Sequence, residues 1–129
     1  MGNILIVDDS RVARKVLRHV LETDGHIVAG EAADGKQGIQ LYKQLRPDLV
    51  LMDMIMPVMN GLECLKAIKQ YDMWAKVIFV SASATERLMH DATEYGCADF
   101  ISKPYDNRVL LLSIQRVLKQ KSDVEYHIS

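Results

Sequence analysis

Asp48-Leu49-Val50-Leu51-Met52-Asp53 holds four consecutive apolar residues between two carboxylates. A strand covered on both faces of its sheet needs a run of this kind, because neither side alternates toward water. The run delivers Asp53 beside a buried strand, where an unpaired charge is costly, so this carboxylate reads as functional. The same form recurs along the chain. Ile4-Leu5-Ile6-Val7 ends on Asp8 and Asp9, Val77-Ile78-Phe79-Val80 on Ser81, and Ala98 to Ser102 on Lys103. In an open parallel α/β sheet the carboxyl ends of neighbouring strands converge on one crevice. Three carboxylates, one hydroxyl and one ammonium are therefore expected to meet there.

Helical patterns separate these runs. Ser10 stands as an N-cap before Val12, Val16, Leu17, Val20 and Leu21, an apolar stripe running to about Thr23 and stopped by Asp24-Gly25. Ile27 to Ala32 is a weaker strand, Asp34-Gly35 a turn, and Ile39, Leu41, Tyr42 and Leu45 a second helix before Pro47. A loop with Pro57 and Asn60-Gly61 leads to a third helix with Leu62, Leu65, Ala67 and Ile68 facing inward. Thr85 caps a fourth, whose apolar residues Leu88, Met89, Ala92 and Tyr95 are sparse, so it is expected to be the loosest. Val109, Leu110, Leu112, Ile114, Val117 and Leu118 form the buried side of the last helix. Five strands alternating with five helices over short connections imply a parallel sheet between helical layers, because right-handed crossovers place each helix on a face. One domain is expected over residues 1–121. Residues 122–129 show no helical stripe and read as a C-terminal tail or the start of a linker.

Composition excludes several functions. The chain has 129 residues, 49% of them hydrophobic, which is enough to bury a proper core and too short for two ordinary domains. A net charge of −1 and 6% aromatic residues suggest neither a phosphate-tracking nor a base-stacking surface, so direct nucleic-acid binding is not expected. Cys64 and Cys97 are isolated and read as packing residues rather than a disulfide or zinc site. No run approaches the roughly 20 apolar residues of a membrane span. No basic stretch precedes a long apolar run at the start, and Ile6 stands where a myristoylation motif wants Ser or Thr. A cytoplasmic protein without membrane insertion is the expectation.

Taken singly, the site residues have plain explanations. Asp8 and Asp9 suit the positive end of a helix dipole, Ser81 is uninformative, and a lone Lys103 is a solvated charge. Taken together they point to a cation, because clustered acids repel. An all-oxygen set with few protein ligands suits Mg²⁺, with Mn²⁺ able to substitute.

Four motifs carry a resemblance: Val7-Asp8-Asp9-Ser10, the stretch from Asp48 through Asp53 to Pro57 with Asn60-Gly61, Val80-Ser81-Ala82, and Ile101-Ser102-Lys103-Pro104. Over residues 3 to about 120 the chain resembles a response-regulator receiver domain of the stand-alone chemotaxis kind. The resemblance implies a doubly wound, flavodoxin-like five-stranded parallel sheet of order 2-1-3-4-5. It implies that Asp53 accepts a phosphoryl group from a sensor histidine kinase. Asp9 would ligate Mg²⁺ directly, Asp8 through water, Asp53 by a carboxylate oxygen and Ile55 by its backbone carbonyl. Lys103 and Ser81 would bind phosphoryl oxygens, and Pro104 would follow a cis peptide bond that aims Lys103 inward. Phe100 takes the place of the family's switch aromatic. A phosphorylation-dependent protein target would bind the face of the fourth helix, last strand and last helix, including Arg87, Phe100, Ser102 and Tyr105.

Such a protein catalyses its own phosphorylation from a phosphodonor and is not a metabolic enzyme. Ile55 and Ser83 occupy positions that in this family tune water's access to the phosphoryl group. Neither is an acid or an amide, so self-dephosphorylation is expected to be slow. Three other classes fit less well. A haloacid-dehalogenase-like phosphatase wants a second acid two residues after the nucleophile, where Ile55 stands. A nucleotide-binding protein wants a glycine-rich loop after the first strand, and Asp8-Asp9-Ser10-Arg11-Val12 has no glycine. A constitutive binding module with an unphosphorylated site would not require the full set of five residues. A receiver excised from a larger regulator with an effector domain also fits the sequence.

Overall fold

The computed structural model describes the backbone of residues 2–128 and the side chains of residues 2–120. Five strands, β1 (Asn3–Val7), β2 (Ile27–Ala32), β3 (Leu49–Met52), β4 (Val77–Ser81) and β5 (Asp99–Ser102), alternate with five helices. These are α1 (Arg11–Thr23), α2 (Gly35–Leu45), α3 (Gly61–Tyr71), α4 (Glu86–Glu94) and α5 (Asn107–Ile128). All strand pairs are parallel and the order is β2-β1-β3-β4-β5. Val7 lies opposite Met52, and Met52 opposite Phe79, so β1 and β3 end level while β4 runs two residues further, to Ser81.

The continuous apolar runs are explained by two cores, one on each face. Leu5, Val7, Val50, Met52 and Phe79 pack with Tyr42 of α2, Cys64, Leu65 and Ile68 of α3, and Ala92 of α4. The intervening residues Ile4, Ile6, Leu49, Leu51, Ile78 and Val80 pack with Leu17, Val20 and Leu21 of α1 and Leu110, Ile114 and Val117 of α5. Successive strand side chains point to opposite faces, so every position of β1, β3 and β4 beyond Asn3 is buried.

Helix starts follow their caps. Ser10 Oγ accepts from the Ala13 N–H at 3.1 Å, and Thr85 Oγ1 from the Leu88 N–H at 3.2 Å. Asp34-Gly35, expected as a turn, instead opens α2, with Asp34 as N-cap accepting from the Gln37 N–H. The same pair of residues serves either purpose. Here a side chain on Gly35 would lie 2.7 Å from the Met59 carbonyl oxygen, which favours glycine at that close approach.

The helical stripes are narrower than the sequence suggests. Val12 is 73% exposed and Leu112 58%, and Val16 and Val109 are also exposed. Val12 lies five residues from Leu17, about 140° round the helix, and Leu112 about 160° from Ile114. Each therefore points away from the sheet its helix covers. On α4 only Ala92 is buried. The backbone of α5 continues to Ile128, through the segment expected to be a separate tail. No glycine or proline interrupts residues 107–128, so the end of an apolar stripe was no sign of a helix end.

Candidate functional site at the carboxyl edge of the sheet

Three of the site residues hang from a neighbouring strand by one further rung of the backbone ladder. The Asp8 N–H donates to the Ala32 carbonyl at 3.0 Å, the Asp53 N–H to Val7 at 2.9 Å, and the Lys103 N–H to Ser81 at 2.9 Å. β1 and β3 thus set Asp8 and Asp53 side by side, and Lys103, at the end of β5 beyond β4, reaches them with its long side chain. Gly61, the first residue of α3, packs on the backbone of Asp53. A side chain there would collide with the Asp53 carbonyl oxygen and come within 2.8 Å of Met54 Cα, and the Gly61 N–H donates to Met54.

Lys103 Nζ lies 2.7 Å from Asp8 Oδ2 and 3.3 Å from Asp53 Oδ2. Burial alone would push the ammonium toward neutrality, but its bonds to Asp8 and Asp53 outweigh this and hold its pKa above the ordinary lysine value. It therefore stays charged at neutral pH. The Lys103–Pro104 peptide bond is cis. Asp8 is buried, Asp53 is half-buried and Asp9 exposed, and all three offer carboxylate oxygens within 4.8 Å of one another. Three carboxylates against one ammonium leave two negative charges, and the donors are hard oxygens. Such a set fits a small divalent cation of the Mg²⁺ type.

Ser81 is buried at the end of β4, where its Oγ accepts from the Ser83 N–H at 3.2 Å, engaging that amide rather than the carboxylates. The Ile55 N–H points at Asp53 Oδ1 across 3.4 Å, and the Ile55 side chain is exposed. Phe100 is half-buried, its ring centroid 5.8 Å from that of the fully buried Phe79.

Arg14 was missed from sequence. Its guanidinium donates to the Asp8 carbonyl oxygen at 2.6 Å and to Glu31 Oε1 at 3.1 Å. The signal was present: Arg14, Leu17 and Leu21 fall at i, i+3 and i+7, so a charge occupies a position on the helix's inward stripe.

The family model described as the response regulator receiver domain matches residues 4–115. The chain belongs to the response regulator receiver family. This receiver is 46% identical to Protein CcdB of Bacillus subtilis over 118 residues, covering 92% of this chain and 98% of that one. It is 38% identical to the chemotaxis protein CheY of Thermotoga maritima, covering 90% and 97%. Among solved structures, CheY in the CheX-CheY-BeF3-Mg²⁺ complex from Borrelia burgdorferi superposes with a TM-score of 0.87 at 37% identity, covering 89% and 87%. The receiver is thus CheY-like in sequence and in fold. Among its described residues no helix is long and apolar enough to cross a membrane.

Proposed function

We propose that this receiver is a phosphorylation switch in which Asp53 accepts a phosphoryl group from a histidine kinase. The observation that carries this reading is Lys103 Nζ spanning Asp8 and Asp53 at the rim of a three-carboxylate pocket. An Asp53 carboxylate oxygen attacks phosphorus in line, an O–P bond forms as the N–P bond to the donor imidazole breaks, and the imidazole leaves with its electron pair. Catalysis is then mostly positioning and charge neutralisation. Asp8, Asp9, Asp53 and the Ile55 carbonyl would hold Mg²⁺ or Mn²⁺, which supplies positive charge for the transferring oxygens. Lys103 supplies a second positive charge that is already in place.

The acyl phosphate adds roughly −1.5 to −2 charge and new acceptor oxygens at this edge. Ser81, whose hydroxyl already lies at the end of β4, turns to donate to one of them. The Ser81–Thr85 loop follows, and Phe100 moves inward toward Phe79. The face of α4, β5 and α5 changes shape as a result and binds a protein target, as in chemotaxis-type signalling.

The test is intact-protein mass after incubation with acetyl phosphate and Mg²⁺. A single phosphoryl adduct is expected in wild type and in Phe100→Ala, and none in Asp53→Asn or without metal. An adduct that survives Asp53→Asn would refute the assignment. Absence of any adduct, under conditions that label an active receiver, would leave a constitutive binding module.

A further inference from the structure

We infer that Arg14 is a positioning residue for the metal pocket, clamping the Asp8–Asp9 peptide so that the Asp9 carboxylate faces those of Asp8 and Asp53. This rests on the proposed reading of those three carboxylates as metal ligands. Every polar group of Asp8 is engaged by a different element. Its N–H donates to Ala32, Oδ1 accepts from the Ser10 N–H at 2.9 Å, Oδ2 accepts from Lys103, and its carbonyl oxygen accepts from Arg14 Nη1 at 2.6 Å. The last bond is the one that governs Asp9. Asp9 is exposed, and the peptide plane whose oxygen Arg14 holds fixes where its Cα, the root of its side chain, sits.

Arg14 is itself immobilised. Its side chain is only 16% exposed, and Nε donates to Glu31 Oε1 while Arg18 Nε donates to Glu31 Oε2 at 2.8 Å. Glu31 thus joins two guanidinium groups of α1 to β2. Lysine in this place donates from one nitrogen and lacks the rigid fork by which Arg14 reaches Glu31 from Nε and Asp8 from Nη1. Groups that orient metal ligands without touching the metal typically matter tenfold or more in metal affinity.

Charge and position make opposite forecasts. Arg14 carries positive charge beside a cation pocket, so by Coulomb's law alone its removal tightens binding of a divalent ion. As a clamp, its removal weakens binding. The experiment is titration of the full chain with Mn²⁺, the free ion being read by electron paramagnetic resonance, with circular dichroism and thermal unfolding confirming the fold of each variant. Arg14→Gln is expected to bind about tenfold more weakly. Arg14→Lys, which keeps the charge but not the fork, should lose at least about threefold, and it decides the matter where Arg14→Gln does not fold. Arg11→Gln, which removes an exposed charge from the same helix, should stay within about twofold of wild type. Arg14→Gln binding as tightly as wild type or tighter, or Arg14→Lys binding like wild type, overturns the clamp. Wild type that binds no Mn²⁺ overturns the metal reading itself, and the clamp with it.

Discussion

Val58, at the exposed tip of the loop between β3 and α3, has φ = 69°. A β-branched residue is an outlier in this left-handed region, at a cost of order 1–3 kcal/mol. Glycine adopts it freely but loses about 0.5–1 kcal/mol through the greater freedom of the unfolded chain. Val58→Gly is therefore expected to stabilise the protein by up to about 1 kcal/mol in urea unfolding, and a destabilised variant would show that the valine is not strained. Glu31 supplies a pH-dependent case. Burial pushes its carboxyl up, but Arg18 and Arg14 outweigh this and hold it below its ordinary value of 4.5. A depressed carboxyl stabilises the fold above its unfolded pKa and loses that contribution as pH falls through the folded one. With the side chain partly exposed, the contribution at neutral pH is below about 1 kcal/mol. Wild type should accordingly be more stable than Glu31→Gln at pH 7, and the gap should close in acid well below pH 4.5. A gap that is constant with pH would show that these ion pairs do not carry it.

The elements differ in how plainly they can be read. β1, β3 and β4 are buried on both faces, so their runs are unbroken and their ends visible, and the residues Asp8, Asp53 and Ser81 fall straight off them. Helices bury one face only, and on α5 apolar residues also occupy the outer face. Leu110 is fully buried while Leu112 is 58% exposed, although both look like core in sequence. Leu110→Ala should cost about 2–5 kcal/mol and Leu112→Ala under about 0.5 kcal/mol in the same unfolding assay. Equal costs would mean that α5 sits with a different face on the sheet. Asp34-Gly35 was misread because one chemistry serves both turns and helix caps, and only the approach of Met59 decides between them. The place of Arg14 on the inward stripe of α1 could be read from sequence, but what it binds could not. Its two partners, Asp8 and Glu31, are on β1's end and on β2, and nothing local ties them to α1.

Across the whole molecule, the excess negative charge at one edge links ion binding to folding. A divalent cation that occupies the pocket in the folded state and has no counterpart in the unfolded chain adds about 1.4 kcal/mol of stability at ten times its dissociation constant. Thermal unfolding should therefore shift upward with Mg²⁺ in wild type and much less in Asp53→Asn, while Asp53→Asn should start higher in metal-free buffer because one repelling charge is gone. A wild-type midpoint indifferent to Mg²⁺ would exclude the pocket as an ion site. The backbone rungs that hold Asp8, Asp53 and Lys103 to neighbouring strands have a wider consequence. The separation of Asp8 from Asp53 is borrowed from the spacing of adjacent strands, about 4.8 Å in any sheet, whereas Lys103, with β4 between its strand and that of Asp53, covers the gap with its long side chain. Divergence in the helical layers can therefore leave the chemistry in place. One residue inserted within β3 cannot, because it would exchange the two cores along that strand and carry Asp53 off its rung.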